Sequence, residues 1–320
     1  MKEIIESKYN IKVNAIIKVT SNTYKIICEE GIYLLKYHKD QSLESIMTRL
    51  SMLNMDIFLL PIRSYKGNYI ENFESLYFSI SPFLQDEILL NKDIRLHYYV
   101  KAIANLHLWS HYSVKVSDGF FIESLEYLEE QCDKVENVIK ARIERVEREE
   151  YHSPSDWYFL MNYDHLAKAI SEARRRIDNL EEAWKKETSL NLSLTYQNFE
   201  YSHILVKQNK IVSLDKMALA PAIYDLRQLF NEAHISKIDI AALIKEYLDI
   251  NPLQNYEKEW LLAFLFIPTV THLNDEIKDI EQLFKCLNRL NSVESFANVL
   301  ISEEETESLE DTVASDDIEK

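Results

Sequence analysis

The sequence predicts an α+β protein in which a small antiparallel β unit with one helix precedes a larger, mostly helical unit. Two observations carry this prediction. Residues 12–38 contain three short runs rich in β-branched residues, and Asn22 and Gly31 mark the turns between them. From about Asp86 onward, apolar residues recur instead at spacings of three and four, which is typical of amphipathic helices.

The strand-rich unit is assigned to residues 1–83. Its strands are predicted in "KVNAIIKVT", "TYKIICEE", "IYLLKYH", "FLLPIRSY" and "SLYFSISPF". Residues 42–53 have apolar positions at helical spacing, with Ser42 as the predicted N-cap of the one helix in this unit. Residues 84–87 form a short connection, and the helical unit follows over residues 88–300.

A long helical hairpin is expected at about 123–187. Two segments each carry one apolar stripe of heptad type, and "HSPSDW" separates them. In that separator, Ser153 is a good N-cap and Pro154 stands at a first helical position. Residues 194–216 then read as a polar loop and a strand hairpin that ends on Asp215. Residues 301–320 are acidic and poor in aromatic residues, so a disordered tail is predicted.

Composition excludes several classes of site. The chain has three glycines, so neither a glycine-rich phosphate loop nor a G-x-S-x-G nucleophile elbow can be written. The three cysteines are far apart and form no C-x-x-C pair, which argues against a zinc knuckle or a disulfide framework and favours a reducing compartment.

Charge and hydropathy indicate where the protein works. A net charge of −17 disfavours binding to nucleic acid phosphates. The N-terminus lacks the apolar core of a signal peptide, and the longest uninterrupted apolar run, residues 260–267, is too short to span a bilayer. We therefore expect a cytoplasmic protein with no nucleic acid partner and no membrane contact.

The order of these segments resembles the aminoglycoside phosphotransferase and choline kinase group, which has a bilobal, protein-kinase-like fold. The resemblance covers roughly residues 10–290. It rests on "NTYKI" with "IYLLKYH", and on "ISPFLQDE", "AIANLHLWS", "YQNFEYSHILV" and "IVSLDKMALAPAIYDLRQLF". Within this group, the chain resembles the spore-coat-associated kinase-like proteins of Firmicutes.

The resemblance implies roles for particular residues. Lys36 matches the lysine that holds the ATP phosphates, Asp215 matches the metal-binding aspartate, and Glu44 on the following helix would pair with Lys36. Each has a simpler alternative: Lys36 as a solvated strand lysine, Glu44 as a first-turn helix acid, and Asp215 as a strand-end cap. Asp225 is expected to brace the polar loop, and His107 to be a buried core histidine.

Two parts of the predicted site, four residues in all, depart from the pattern of the family. Tyr196, Gln197 and Asn198 stand where the family has His-Gly-Asp, so Asn198 occupies the position of the general base and cannot take a proton near neutral pH. His203 replaces the metal-ligand Asn, and an imidazole suits Mg²⁺ less than an amide oxygen does. For His203, a structural hydrogen-bonding role is the alternative to metal ligation.

These departures favour a pseudokinase, a kinase-like protein with a degraded phosphotransfer site that binds a small molecule or protein in the interlobe cleft without turnover. The helical hairpin would be a protein-contact surface, unless it packs wholly within its own lobe. The family resemblance also implies a sporulation or spore-coat role. No cofactor is predicted with certainty, and ATP and Mg²⁺ are expected only if nucleotide binding is retained.

The alternative hypothesis is a divergent ATP-dependent phosphotransferase that acts on an alcohol group of a small metabolite. In that case Lys36 would hold the phosphates, Asp215 the metal, and Asn198 would only position the acceptor hydroxyl.

Overall fold

The computed structural model describes residues 1–74, 76–85, 91–187, 189–270, 273 and 275–316, with 302–316 described by their backbone alone. The chain divides into two compact units. The first comprises residues 1–112 and 192–229, and the second comprises residues 113–191 and 230–320. The predicted α+β class is confirmed, and residues 192–229 return to the unit that holds the N-terminal strands.

The first unit is built on a five-stranded antiparallel sheet. Its strands in chain order are β1 (Val13–Lys18), β2 (Thr23–Cys28), β3 (Ile32–His38), β4 (Glu71–Phe73) and β5 (Leu76–Pro82). Their order across the sheet is β1-β2-β3-β5-β4. Thr23 lies opposite Lys36, and Lys36 lies opposite Ser79.

The two faces of this sheet differ because side chains alternate along each strand. One face carries Ile26, Leu35 and Phe78, which are buried together with Ile5 and Tyr9. These last two residues belong to, or directly follow, the short helix α1 (Lys2–Lys8), so α1 covers that face. Lys36, one position after Leu35, points to the opposite face, where the candidate site lies.

Two helices complete the N-terminal part of the first unit. Helix α2 (Leu43–Met52) begins after Ser42, but the Ser42 side chain makes no capping hydrogen bond; Asp40 Oδ1 instead accepts the Ser42 N–H at 2.8 Å. Helix α3 (Lys92–Ser110) follows, with Asn91 as its N-cap. Of the predicted connection 84–87, residues 86 and 87 lie outside the described residues.

The polar loop and strand hairpin predicted at 194–216 is made of short elements. Strand β7 (Ser189–Thr195) runs into this range, which contains β8 (Ile204–Leu205) and β9 (Lys210–Ile211). Strand β6 (Tyr112–Lys115) precedes the range in the chain, and β10 (Ala218–Ala220) follows it. Strands β8 and β9 pair antiparallel, as do β7 and β10. A 3₁₀ turn over residues 214–216 carries Asp215, and helix α6 (Ile223–Ser236) begins just after β10.

The second unit is helical. Its helices are α4 (Asp118–Arg148), α5 (Pro154–Trp184), α7 (Ile240–Leu248), α8 (Asn255–Phe266) and α9 (Glu276–Asp316). Helices α4 and α5 occupy the range expected for the helical hairpin, and both of their predicted apolar stripes contain buried residues, among them Leu128, Ile139, Leu166 and Ile177. The Ser153 side chain accepts the Asp156 N–H, as an N-cap does.

Helix α9 differs from the disorder predicted for residues 301–320. Its backbone is helical through Asp316, and residues 317–320 lie outside the described residues. Extending an existing helix avoids the cost of nucleating a new one. No helix in the described part of the chain combines the length and apolar character needed to cross a membrane.

Candidate functional site

The candidate site centres on a contact between Lys36 of β3 and Asp215. The Lys36 ammonium Nζ lies 2.5 Å from Asp215 Oδ1, and both side chains are partly accessible, at 31% and 23%. These residues are 179 positions apart in the chain, and both belong to the first compact unit. The two residues that the sequence predicts for phosphate and metal binding therefore meet in one place.

A cavity of about 200 Å³ adjoins this pair. It is lined on one side by the face of the sheet that carries Lys36, and on the other by residues 212–215. Apolar side chains form most of its wall, including Leu34, Met47, Leu59 and Leu214. Its polar lining besides the ion pair comprises Thr23, His38, Ser79, Ser81 and Ser213. We call this cavity the Lys36 cleft.

His38 contributes a neutral polar group to the Lys36 cleft. Its Nε2 lies 2.8 Å from Ser79 Oγ, and burial lowers the pKa of the imidazole below its ordinary value even though Asp215 acts in the opposite direction. The neutral form is therefore favoured. Apart from Lys36 and Asp215, none of the described residues that line this cleft carries a charge at neutral pH.

Asn198, at the position matched to the general base, is bound as a donor. Its side chain is buried, and its Nδ2 donates to the Ser213 carbonyl at 2.7 Å and to Asp215 Oδ1 at 3.4 Å. Both partners are oxygen acceptors, so the amide nitrogen must face them. An ionised carboxylate at position 198 has no proton to donate, so it would face the oxygens of Ser213 and Asp215 without a hydrogen bond to either. The pocket around Asn198 is thus suited to an amide.

The hydrogen bonds of His203 fix its tautomer. His203 Nδ1 lies 2.8 Å from the Asn198 carbonyl oxygen and 3.2 Å from the Tyr196 hydroxyl. The Tyr196 hydroxyl donates its one proton to the Val212 carbonyl at 2.6 Å, so both neighbours present lone pairs to Nδ1. Nδ1 therefore carries the proton, and burial lowers the pKa of the ring. Nδ1 of His203 is thus engaged with the loop, while its Nε2 lies 3.6 Å from the Glu200 carboxylate.

Asp225 holds the backbone of this loop. Its carboxylate is fully buried and accepts hydrogen bonds from the backbone N–H groups of Tyr196 and Gln197, each at 2.7 Å. Nε2 of His107, on α3, lies 3.0 Å from the same carboxylate. Three donors thus converge on one carboxylate. This arrangement agrees with the bracing role expected for Asp225 and with the core position expected for His107.

Two residues of the site have left-handed backbone conformations. Gln197 has φ of 51° and Ser213 has φ of 60°. Such values are uncommon for residues with a Cβ, and they cost free energy relative to glycine. Gln197 stands where the family pattern has glycine, which accounts for the conformation at that position. Its side chain is tied down by a hydrogen bond from Nε2 to Thr195 Oγ1 at 2.7 Å.

Glu44 is bound elsewhere than the family resemblance implies. Its carboxylate accepts hydrogen bonds from the backbone N–H of Tyr69, at 2.9 Å, and of Ile70, at 2.6 Å. The ion pair of Lys36 is with Asp215. Glu44 therefore fixes the chain ahead of β4, and the structure brings together Lys36 and Asp215 rather than Lys36 and Glu44.

The turn between β1 and β2, residues 19–22, is closed by its own backbone. The N–H groups of Val19 and Thr20 both donate to the Thr23 carbonyl, at 2.9 and 3.1 Å. Asn22 N–H lies 3.4 Å from Thr20 Oγ1. The amides of a phosphate-binding loop must point at the ligand, and here three of them point into the turn itself.

The side chains near Asp215 could hold a metal ion only if a bound phosphate and water supplied most of the coordinating oxygens. Asp215 offers a hard carboxylate oxygen, while Asn198 presents N–H groups and His203 Nδ1 is engaged with the loop. Among the described residues, no group of three His, Cys, Asp or Glu side chains could hold a metal ion. Mg²⁺ commonly binds through one or two carboxylates together with phosphate oxygens and water, and Asp215 can serve in that way.

The sequence did not reveal several residues that build this site. The Ser213 carbonyl anchors Asn198, the Tyr196 hydroxyl fixes His203 and Val212, and the amides of Tyr69 and Ile70 hold Glu44. Backbone groups carry most of these contacts, and a sequence pattern gives no signal for them. The replacement of the family's glycine by Gln197 was the one visible sign that this backbone is under constraint.

Comparison with solved structures identifies the fold as kinase-like. An aminoglycoside phosphotransferase from Alicyclobacillus acidocaldarius matches with a TM-score of 0.67 and 12% sequence identity, over 96% of this chain and 97% of its own. The AMP-bound complex of a spectinomycin phosphotransferase matches with a TM-score of 0.51 and 15% identity, over 91% of this chain and 96% of its own. At these identities the likeness concerns the fold alone.

No protein-family model matches the chain. No curated protein sequence matches it either.

Proposed function

We propose that this chain is a kinase-like protein that binds a nucleotide in the Lys36 cleft and has lost efficient phosphoryl transfer. One observation carries the proposal. Lys36 and Asp215 meet at 2.5 Å beside the cleft, while Asn198, in the position of the catalytic base, donates its amide protons instead of accepting one. The binding charges are kept and the proton acceptor is replaced.

The apolar walls of the Lys36 cleft suit a flat heterocycle, and its charged end suits phosphate. Leu34, Leu59 and Leu214 supply apolar surface, and Lys36 supplies the cation that a phosphate oxygen would contact. That a related fold was solved with AMP bound supports a nucleotide as the ligand. AMP is the ligand of that protein; nucleotide binding by the present chain is our proposal.

The loss of transfer follows from acid–base chemistry. Removing a general base typically lowers a rate by about 10²–10⁴-fold. An amide has no accessible protonation near neutral pH, and Asn198 is held with its nitrogen toward Ser213 and Asp215. A substrate hydroxyl near Asn198 would be positioned but not deprotonated.

A nucleotide titration combined with a transfer assay tests this function. We expect ATP with Mg²⁺ or Mn²⁺ to raise the thermal midpoint of the protein, because a ligand that binds the native state stabilises it. We also expect that phosphate release and transfer to a panel of small alcohols and amino alcohols will not exceed those of Lys36→Met. Turnover clearly above that baseline would show an active enzyme, and the absence of any nucleotide response would remove the proposal.

A second candidate is a divergent ATP-dependent phosphotransferase that acts on a small alcohol. The retained Lys36–Asp215 pair favours it, since both residues would be needed for the phosphates and the metal. In that case Asn198 would orient the acceptor hydroxyl. The transfer assay separates the candidates, because only this one predicts a rate that falls when Lys36 is replaced.

Protein contacts and cellular role form a further part of the proposal. The outer faces of α4 and α5 expose large apolar side chains, with Tyr127 at 51%, Trp157 at 55% and Met161 at 77% accessibility, which supports a protein-contact surface on this hairpin. We place the protein in the cytoplasm, with the spore-coat association that the family resemblance implies. Fractionating spores of the source organism and probing the coat and core for the protein tests that placement.

A further inference from the structure

The second compact unit contains a cavity of about 490 Å³. It is lined by residues from 168–176 of α5, by Phe266 at the end of α8 and by residues from 294–301 of α9, and we call it the α5–α9 cavity. It shares no lining residue with the Lys36 cleft. Its volume lies in the range typical of small-molecule sites, so the chemistry of its wall indicates which molecules it can hold.

The wall of the α5–α9 cavity combines two arginines with an apolar surface. Arg175 and Arg176 come from adjacent positions of α5. Phe266, Ala297 and Ile301 supply apolar groups from α8 and α9. A ligand that has one anionic end and an apolar body matches both parts of this wall.

Both guanidinium groups are held in place by the same carboxylate. Arg175 binds Glu172 through Nε at 2.8 Å and through Nη2 at 2.5 Å, and Arg176 binds Glu172 through Nε at 2.8 Å. Arg176 Nη1 also donates to Glu259 Oε1 at 3.0 Å. Burial alone would raise the pKa of Glu172, but the hydrogen bonds and charges of the two arginines lower this pKa below its ordinary value. Glu172 therefore stays ionised and keeps both groups oriented.

Each guanidinium retains one nitrogen that no described residue uses. These nitrogens are Nη1 of Arg175 and Nη2 of Arg176. The Arg176 side chain is only 4% exposed and lines the cavity, so a ligand there can satisfy a donor that is largely withdrawn from bulk water. A carboxylate has two acceptor oxygens and can take one hydrogen bond from each arginine.

We propose that the α5–α9 cavity binds a small monocarboxylate with an apolar body. Its two oxygens accept hydrogen bonds from Arg175 and Arg176. Its apolar part packs against Phe266 and Ala297. Because Glu172 already fixes the donors, little side-chain entropy is lost when the ligand binds. This site is separate from nucleotide binding and gives the protein a second ligand.

The charge balance favours a monoanion over a phosphate. The positive charges of Arg175 and Arg176 are matched by the carboxylates of Glu172 and Glu259, so the cavity holds its ligand through oriented N–H groups and not through an excess of positive charge. The whole chain has a net charge of −17, which repels a second negative charge on the ligand. A phosphate monoester carries about −1.5 to −2 at pH 7, whereas a carboxylate carries a single negative charge.

The test is a series of ligand-observed NMR titrations of the full-length protein with hexanoate, acetate, hexanamide and hexyl phosphate. Hexanoate should bind at least about tenfold more tightly than acetate, because it buries a longer apolar chain. It should bind at least about tenfold more tightly than neutral hexanamide, because hydrogen bonds to a charged acceptor are stronger. It should also bind more tightly than hexyl phosphate.

One variant removes a donor and another is its matched control. Arg175→Met changes a side chain that is 56% exposed, and it should raise the dissociation constant of hexanoate by about tenfold. Arg148→Met removes the same charge from α4, at a side chain that is 79% exposed, and should bind hexanoate as wild type does. In ¹H–¹⁵N spectra, the arginine Nε signal that Arg175→Met loses should be one that hexanoate shifts in wild type. Lys36→Met should bind hexanoate normally.

Several outcomes overturn the proposal. They are the absence of any response to hexanoate at millimolar concentration, and binding of hexanamide or hexyl phosphate that is as tight as that of hexanoate. Unchanged affinity in Arg175→Met, shown by circular dichroism to be folded, or an equal loss in Arg148→Met, has the same consequence. Loss of binding in Lys36→Met would place the carboxylate in the Lys36 cleft instead. None of these titrations uses a nucleotide, so their failure leaves the proposed function standing.

Discussion

His107 Nε2 and Asp225 Oδ2 are 3.0 Å apart, and neither side chain is accessible to solvent. Together with the backbone N–H groups of Tyr196 and Gln197, His107 completes a set of three donors to one carboxylate. This arrangement anchors the loop that carries Asn198 to helix α3 without using any side chain of the loop.

Replacing Asp225 by Asn should destabilise the protein although the two side chains have the same shape. An amide has one acceptor oxygen, so at least one of the three buried donors would face an NH₂ group. We expect a loss of about 2–4 kcal/mol in the free energy of unfolding, measured by urea denaturation. Asp93→Asn, in the first turn of α3 where the carboxylate is 48% accessible, should change stability by less than about 0.5 kcal/mol. An Asp225→Asn variant as stable as wild type would show that the three contacts are not maintained in solution.

Gln197 offers a direct measure of backbone strain. Gly and Ala at this position both remove the side-chain hydrogen bond to Thr195, but only Gly adopts φ near 51° without a steric penalty. We therefore expect Gln197→Gly to be more stable than Gln197→Ala by about 1 kcal/mol. Thermal unfolding of the two variants side by side gives the difference. Equal midpoints would mean that the residue leaves the left-handed region in solution.

Arg142 links three helices of the second unit. Its side chain is 2% exposed and contacts Asp279 of α9 at 2.7 Å and Asp156 of α5 at 3.4 Å. Arg142→Met should remove a cation from two buried carboxylates, of which Asp156 keeps its 2.5 Å contact with Arg145, and lower the free energy of unfolding by about 3–5 kcal/mol. Arg148→Met, which changes a residue of the same helix that is 79% exposed, is the control and should stay within about 0.5 kcal/mol. A small effect at Arg142 would indicate that water replaces the lost partner.

The buried carboxyl group of Glu257 should make the stability of the protein depend on pH. Burial raises the pKa of this carboxyl from 4.5 to about 7, against the opposing effect of a hydrogen bond from the Gln254 N–H. Between these two values the folded state binds more protons than the unfolded state, so this group makes stability fall as pH rises. Glu257→Gln should remove the penalty and gain on the order of 2 kcal/mol relative to wild type between pH 5 and pH 8.

The comparison for this prediction is a set of denaturation curves across that pH range. Glu147→Gln, on the exposed side of α4, should run parallel to wild type. A constant difference between Glu257→Gln and wild type at all pH values would contradict the raised pKa of Glu257.

Much of the fold was accessible from the sequence because its signals are local. Strand alternation in residues 12–38, the apolar stripes of the helical hairpin and the cap at Ser153 all depend on neighbours within a few positions. The site was partly accessible for a different reason: the order of segments resembles that of a known family, which implied that Lys36 and Asp215 share a site, and in the structure these two residues are in contact.

Other features of the site depend on contacts that no local pattern encodes. Glu44 was expected beside Lys36, but it binds the backbone N–H groups of Tyr69 and Ile70, whose direction is set by the path of the chain before β4. Asn198 acts as a donor because its side chain faces the Ser213 carbonyl. Ser213 itself has a left-handed backbone conformation, which the sequence does not signal with a glycine. The backbone of α9 is helical through residue 316, and an acidic composition does not by itself prevent a helix.

Asp225 binds backbone N–H groups of the loop, so the path of the loop does not depend on which side chains the loop carries. Any residue other than proline supplies the same N–H group at positions 196 and 197, so reactive groups on this loop can be exchanged while its path is retained. A scaffold organised in this way can give up a reaction in a few substitutions and still present an intact binding surface. The same property makes the loop a convenient place to install new side chains by design.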